Sequence, residues 1–107
     1  MVDDQAIELA ARTWHDEAPG IRAKEARADG SRWAIVEYAP GARRDAWCTD
    51  GHRGFVLDGA IEYELEDRRE PLRLRAGQAF VLGAGRAHRG RNLAAEATRL
   101  FLIDDPL

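Results

Sequence analysis

The chain contains three histidines and one cysteine. Two of the histidines sit in glycine-punctuated, strand-like stretches. His52 lies in Trp47-Cys48-Thr49-Asp50-Gly51-His52-Arg53-Gly54-Phe55-Val56-Leu57-Asp58-Gly59. His88 lies in Gly77-Gln78-Ala79-Phe80-Val81-Leu82-Gly83-Ala84-Gly85-Arg86-Ala87-His88-Arg89-Gly90-Arg91-Asn92. A neutral imidazole is a natural ligand for a divalent transition metal. Side chains alternate along a strand, so His52 shares a face with Gly54 and Val56, and His88 with Gly90 and Asn92. Glycines beside each ring leave room around it. The third histidine, His15, lies in polar Trp14-His15-Asp16-Glu17 and reads as solvent-exposed. No Ser-His-Asp order, phosphate loop or telling pair of carboxylates is visible.

The elements that must hold these rings are strands. Ile21 to Arg27 and Arg32 to Tyr38 flank Ala28-Asp29-Gly30-Ser31, where Asp-Gly supplies the positive φ of a hairpin turn. A polar loop over 42–51 precedes His52 to Leu57. Ala60 to Glu66 alternates strictly, with Ile61, Tyr63 and Leu65 on one face and three glutamates on the other. Leu72 to Arg75 alternates too, so its arginines pair across strands with those glutamates on a wet face. Ala79 to Leu82, His88 to Asn92 and Thr98 to Ile103 complete the set, and Pro106 follows. Short strands at regular spacing with Gly-rich turns predict an all-β sandwich or barrel. Residues 1–20 read as an N-terminal arm ended by Pro19-Gly20, and 21–107 as one barrel domain. Within the arm, 3–12 fit either a helix, with Asp3 and Asp4 in its first turn, or an extended segment.

The second stretch resembles the second motif of the cupin family: Gly, five residues, Pro, one, Gly, two, His, three, Asn. Gly77, Gly85, His88 and Asn92 fall at those spacings, and Gly83 replaces the proline. The first stretch resembles the end of the first cupin motif. Phe55 to Gly59 fit its closing turn, Gly41 its opening glycine, and His52 stands where the motif has Glu. The two upstream histidines are missing; depending on the spacer, their places hold Asp45 and Trp47 or Ala46 and Cys48. The resemblance spans roughly 41–103 and implies a small cupin-type jelly-roll barrel, RmlC-like. It also implies that His52 and His88 meet in the barrel mouth and share a metal.

Asp45 as third ligand would make a two-histidine, one-carboxylate site suited to Fe(II). Cys48 would supply a thiolate and favour zinc. The plainer role for Asp45 is an ion pair with Arg43 or Arg44, and for Cys48 a small buried hydrophobe. Trp47, Val56 and Asn92 are expected to wall the pocket. Arg89 and Arg91 should point away from His88, while Arg86 sits in the turn.

Composition sets the remaining bounds. The length, 107 residues, suits one domain, and 45% apolar content argues against disorder. A net charge of -3 gives no basic footprint for nucleic acid. The N-terminal Met1-Val2-Asp3-Asp4 is no signal peptide, and no apolar run would span a bilayer. The lone Cys48 fits a reducing interior, so a cytoplasmic protein is expected. The cupin resemblance implies a small barrel that binds a divalent metal (Zn, Fe, Ni or Mn), a small polar ligand or both, with metal-dependent oxygenase, isomerase or lyase activity as its enzymatic form. The alternative is a metal-free ligand-binding or sensing module. The cupin resemblance also implies a homodimer, by paired sheets or swapped N-terminal strands, and a third reading is an interaction protein that dimerises through an outer sheet face carrying Trp33 or Phe101.

Overall fold

A computed structural model describes residues 4–105; Met1 to Asp3, Pro106 and Leu107 lie outside them. The architecture is all-β, with no helix among the described residues. Nine strands form: β1 (His15–Ala18), β2 (Ile21–Ala28), β3 (Ser31–Tyr38), β4 (Gly51–Asp58), β5 (Ala60–Leu65), β6 (Leu72–Arg75), β7 (Ala79–Leu82), β8 (His88–Arg91) and β9 (Thr98–Asp105). They make a six-stranded sheet, β1-β2-β3-β9-β4-β7, and a three-stranded sheet, β6-β5-β8. Among the described residues no helix is long and apolar enough to cross a membrane.

The helical option for the lead is not taken. Its described part runs extended to a turn closed by Arg12 N–H donating to Leu9 O, and the Lys24 ammonium holds Ala10 O at 2.9 Å. The sequence reading stopped the lead at Pro19-Gly20, but its last residues form β1 against β2. Polar β1 lacks alternation, so periodicity could not find it. The Asp29-Gly30 hairpin has φ of 52° and 73° at its central residues, as a two-residue turn of this hand requires.

Alternation then decides what lies inside. Ala34, Val36 and Tyr38 of β3, Leu100 and Leu102 of β9 and Val56 of β4 point inward and are buried, against Ile61, Tyr63 and Leu65 of β5. The same phase carries charged residues inward at one end of the sheet: Arg32 on β3, Asp104 on β9 and His52 on β4. These three are direct cross-strand partners, Arg32 opposite Asp104 and Asp104 opposite His52. On the outside of β5, Glu62 meets Arg73 at 3.0 Å and Glu64 meets Arg89 at 3.3 Å, as its alternation predicts.

Candidate metal centre

His52 enters from β4 of the larger sheet and His88 from β8 of the smaller. Their ring centroids are 4.6 Å apart, edge to face. Cys48 is brought alongside by the loop before β4, whose backbone pairs with β8. Cys48 N–H donates to His88 O at 2.8 Å, and His88 N–H donates to Cys48 O at 2.9 Å. One ligand atom from each of Cys48, His52 and His88 lies within 4.8 Å of the others.

The tautomers aim both imidazoles at this point. His88 Nδ1–H donates to the Arg86 carbonyl at 3.1 Å, which leaves the Nε2 lone pair free. That Nε2 is buried and has no hydrogen-bond partner among the described residues. A buried polar atom left so costs about 1–3 kcal/mol unless something occupies it. His52 Nδ1 meets Asp104 Oδ1 at 2.6 Å, and its Nε2 faces Cys48 Sγ at 3.8 Å. Asp104 is fixed in turn, its Oδ2 accepting from Arg32 Nη1 at 2.7 Å. A carboxylate behind a ligating imidazole orients the ring and raises its basicity.

The electrostatics follow from these contacts. The His52 imidazole pulls the Cys48 thiol down to about 6, against burial. Burial alone would lower the His52 imidazole, but Asp104 and Cys48 outweigh it and raise it to about 9. Burial likewise pushes Asp104 up, while His52 and Arg32 hold it below the usual carboxylate range. At neutral pH the metal-free cluster is therefore a thiolate beside an imidazolium.

These groups form one end of a cavity of about 200 Å³ whose lining includes Glu17, Tyr38, Arg44 and Tyr63. Asp45, the carboxylate candidate, points elsewhere: its side chain is 91% exposed and lies 3.8 Å from Arg43. The three residues expected to wall the pocket sit outside this lining. Trp47 stacks under the Arg89 guanidinium at 4.2 Å. Val56 is fully buried in the core. Asn92 is fully buried and ties loops together, donating to Tyr38 O, Ala39 O and Glu96 O. Arg86 pairs with Asp67 at 2.9 Å. His15 is half-exposed and reaches Glu25 at 3.2 Å.

Sequence reasoning missed Asp104, Arg32, Glu17, Arg44, Tyr38 and Tyr63. For Asp104 and Arg32 a signal existed, since each continues the inward phase of an apolar strand. A charge in that phase must find a partner inside.

A profile of the Cupin_2 family, described as a cupin domain, matches residues 34–104, about two thirds of the chain. Among solved structures, KdgF from Halomonas sp. aligns with a TM-score of 0.75 at 26% identity, covering 98% of this chain and 96% of that one. An RmlC-like cupin from Shewanella frigidimarina gives 0.75 at 12% identity, with 99% and 94% covered. The polyketide cyclase RemF from Streptomyces resistomycificus gives 0.78 at 14%, with 95% and 79% covered. At such low identity the last two speak for the fold alone. No curated protein matches the chain by sequence.

Proposed function

Because this chain belongs to the cupin domain family, by the match over residues 34–104, we propose that its barrel holds a divalent metal on Cys48, His52 and His88 and binds a small polar molecule beside it. The single observation that carries this reading is the buried, unpartnered Nε2 of His88, aimed at a thiolate and a second imidazole. One thiolate and two imidazoles would fit zinc best, and zinc held by three protein ligands would have a position left for substrate. A metal there would polarise a bound carbonyl or hydroxyl, the chemistry of an isomerase or lyase, which we favour over oxygenase chemistry.

The chain's own residues would do the rest. Asp104 keeps His52 Nδ1–H turned outward, so Nε2 is presented to the metal. The Arg86 carbonyl does the same for His88. The barrel walls bury most of the His52 and Asp104 side chains, which strengthens the charge interactions between them. The thiolate–imidazolium pair supports a second reading, a metal-free ligand-binding barrel.

Metal analysis decides between them. Protein purified without chelators or a histidine tag is supplied with zinc, iron, nickel or manganese at neutral pH. One equivalent retained by wild type, and lost on His88→Ala, supports the metal site. If none of the four is retained, the metal-free binder takes its place.

We also propose a homodimer through the outer face of the larger sheet. Register puts Ile35 opposite Phe101, Phe101 opposite Phe55, and Trp33 opposite Ile103 on that face. Phe55 is 39% and Val81 70% exposed. An apolar patch of this kind is covered in most soluble proteins.

A further inference from the structure

Two carboxylates that line the inner cavity, Glu17 and Asp104, are spent on its cations, and a third, Asp50, lies exposed, while several donors beside them are unused. The Glu17 carboxylate takes Arg44 Nη2 at 2.6 Å on one oxygen and Arg32 on the other. The Asp104 carboxylate takes His52 and Arg32. Arg44 donates Nε–H to the Tyr38 hydroxyl at 3.2 Å, and its Nη1 has no partner among the described residues. The Tyr38 hydroxyl accepts that bond, and its own proton has no acceptor among the described residues. The Tyr63 hydroxyl makes no hydrogen bond there, although its residue is only 3% exposed.

These donors converge. Arg44 lies against the Tyr38 ring, its Cζ 5.7 Å from the centroid. Both tyrosines meet at Gly90, where a Cβ would fall 2.8 Å from the Tyr38 hydroxyl and 3.1 Å from Tyr63 Cε1. Any side chain at 90 would therefore push the two phenols apart. Burial holds both phenols above their ordinary value, so they keep their protons at neutral pH. The Tyr63 ring stands 5.8 Å from that of His88, which sets the donor cluster beside the ligand cluster.

We propose that this cavity selects a small carboxylate, its carboxylate group seated on Arg44, Tyr38 and Tyr63 and a second oxygen turned to the metal. The second contact and the charge balance rest on the metal reading above; the seat on the unused donors does not. Three kinds of observation support it. Unused donors around a cavity call for an acceptor-rich ligand, and an arginine fork matches a carboxylate. Formal charges of the lining side chains cancel, arginines against carboxylates, so adding the thiolate and a divalent ion leaves an excess of one positive charge. A monoanion neutralises that excess, whereas a phosphate monoester, at about −1.5 to −2, overshoots it. The cavity volume of about 200 Å³ suits a small ligand.

The test titrates glycolate, lactate and pyruvate into zinc-loaded and chelator-treated full-length protein, by calorimetry. Lactamide, propane-1,2-diol and inorganic phosphate are run beside them. At least one acid should bind zinc-loaded protein at millimolar concentration, about tenfold or more tighter than the neutral analogues. Tyr63→Phe should weaken that binding at least fivefold and leave the urea midpoint unchanged, because the hydroxyl it removes has no partner. Arg44→Gln should weaken it further. If zinc is not retained but an acid still binds with the same dependence on Tyr63, the carboxylate seat stands and the metal reading falls. Neutral analogues binding as well as the acids, a preference for phosphate, wild-type affinity in Tyr63→Phe, or no acid bound at all would each overturn the proposal.

Discussion

Replacing Cys48 by serine should change how the stability of the metal-free protein depends on pH. His52 is raised to about 9, so taken alone it stabilises the fold fully below its unfolded value, about 6.5, and loses that contribution as pH rises through about 9. Cys48 is lowered to about 6, so taken alone it stabilises fully above its unfolded value, about 8.5, and loses that contribution as pH falls through about 6. The two shifts, however, are linked through the Cys48–His52 contact at 3.8 Å, with Asp104 the larger pull on His52. Between about pH 6.5 and 8.5 the folded chain carries one proton on this pair, on His52. The unfolded chain also carries one, on Cys48. Stability changes with pH only through a difference in bound protons, so the wild-type pair contributes almost no slope there.

Serine removes the thiol and breaks that balance. His52 keeps Asp104 at 2.6 Å, and its side chain is only 11% exposed, so it stays raised. The folded variant then holds a proton that the unfolded chain has released, and stability falls as pH rises above about 6.5. The slope approaches 1.4 kcal/mol per pH unit, a loss of about 2 kcal/mol by pH 8.5. Urea unfolding of both proteins, in chelator across pH 6 to 9, measures the two slopes. Parallel curves for wild type and Cys48→Ser would show that no proton passes from Cys48 to His52 on folding.

The remaining predictions bear on the metal and the assembly. Zinc must displace the His52 proton, so its affinity should rise about tenfold per pH unit from about 6 to about 9 and level off above; a competing chromophoric chelator reads this, and a flat profile removes His52 from the ligands. Asp104→Asn should weaken zinc about 10–100-fold by releasing the His52 ring, whereas Asp45→Ala, at an exposed carboxylate beside Arg43, should leave affinity unchanged. The opposite ranking would restore Asp45 as the third ligand. Wild type should scatter light as a dimer at micromolar concentration, and Phe55→Glu with Val81→Glu should halve the mass. A wild-type monomer refutes the covered face.

The fold was legible because it rests on alternation, and alternation survives in a single sequence. The glutamates of β5 and the arginines of β6 read as one wet face from their spacing alone, and the structure pairs Glu62 with Arg73. The polar edge strand β1 carries no such rhythm, so it was invisible, and Glu17 within it could not be assigned to the cavity. The histidines stood out because histidine is scarce and glycines flank both. The choice between Asp45 and Cys48 turned on how a ten-residue loop closes, and loop closure leaves no periodic trace. The decisive bonds are the two between the backbones of Cys48 and His88.

Asp104 shows where a sequence reading could have gone further. It follows Leu100-Phe101-Leu102-Ile103, and a count by twos from Leu100 lands on it. A carboxylate at an inward position of an apolar strand has to be paired inside or be strongly destabilising. The same count along β3 from Tyr38 through Val36 and Ala34 lands on Arg32, the cation that meets it. Carried along β4 from Val56 through Gly54, it lands on His52. Three strands therefore each place one ionisable residue at the same end and on the same face of the sheet, and the metal candidate is the member of that row nearest the second sheet. The missing upstream histidines do not empty the site. They shift its support from a repeated ligand motif to a cross-strand row of Arg32, Asp104 and His52, with Cys48 closing it from the loop.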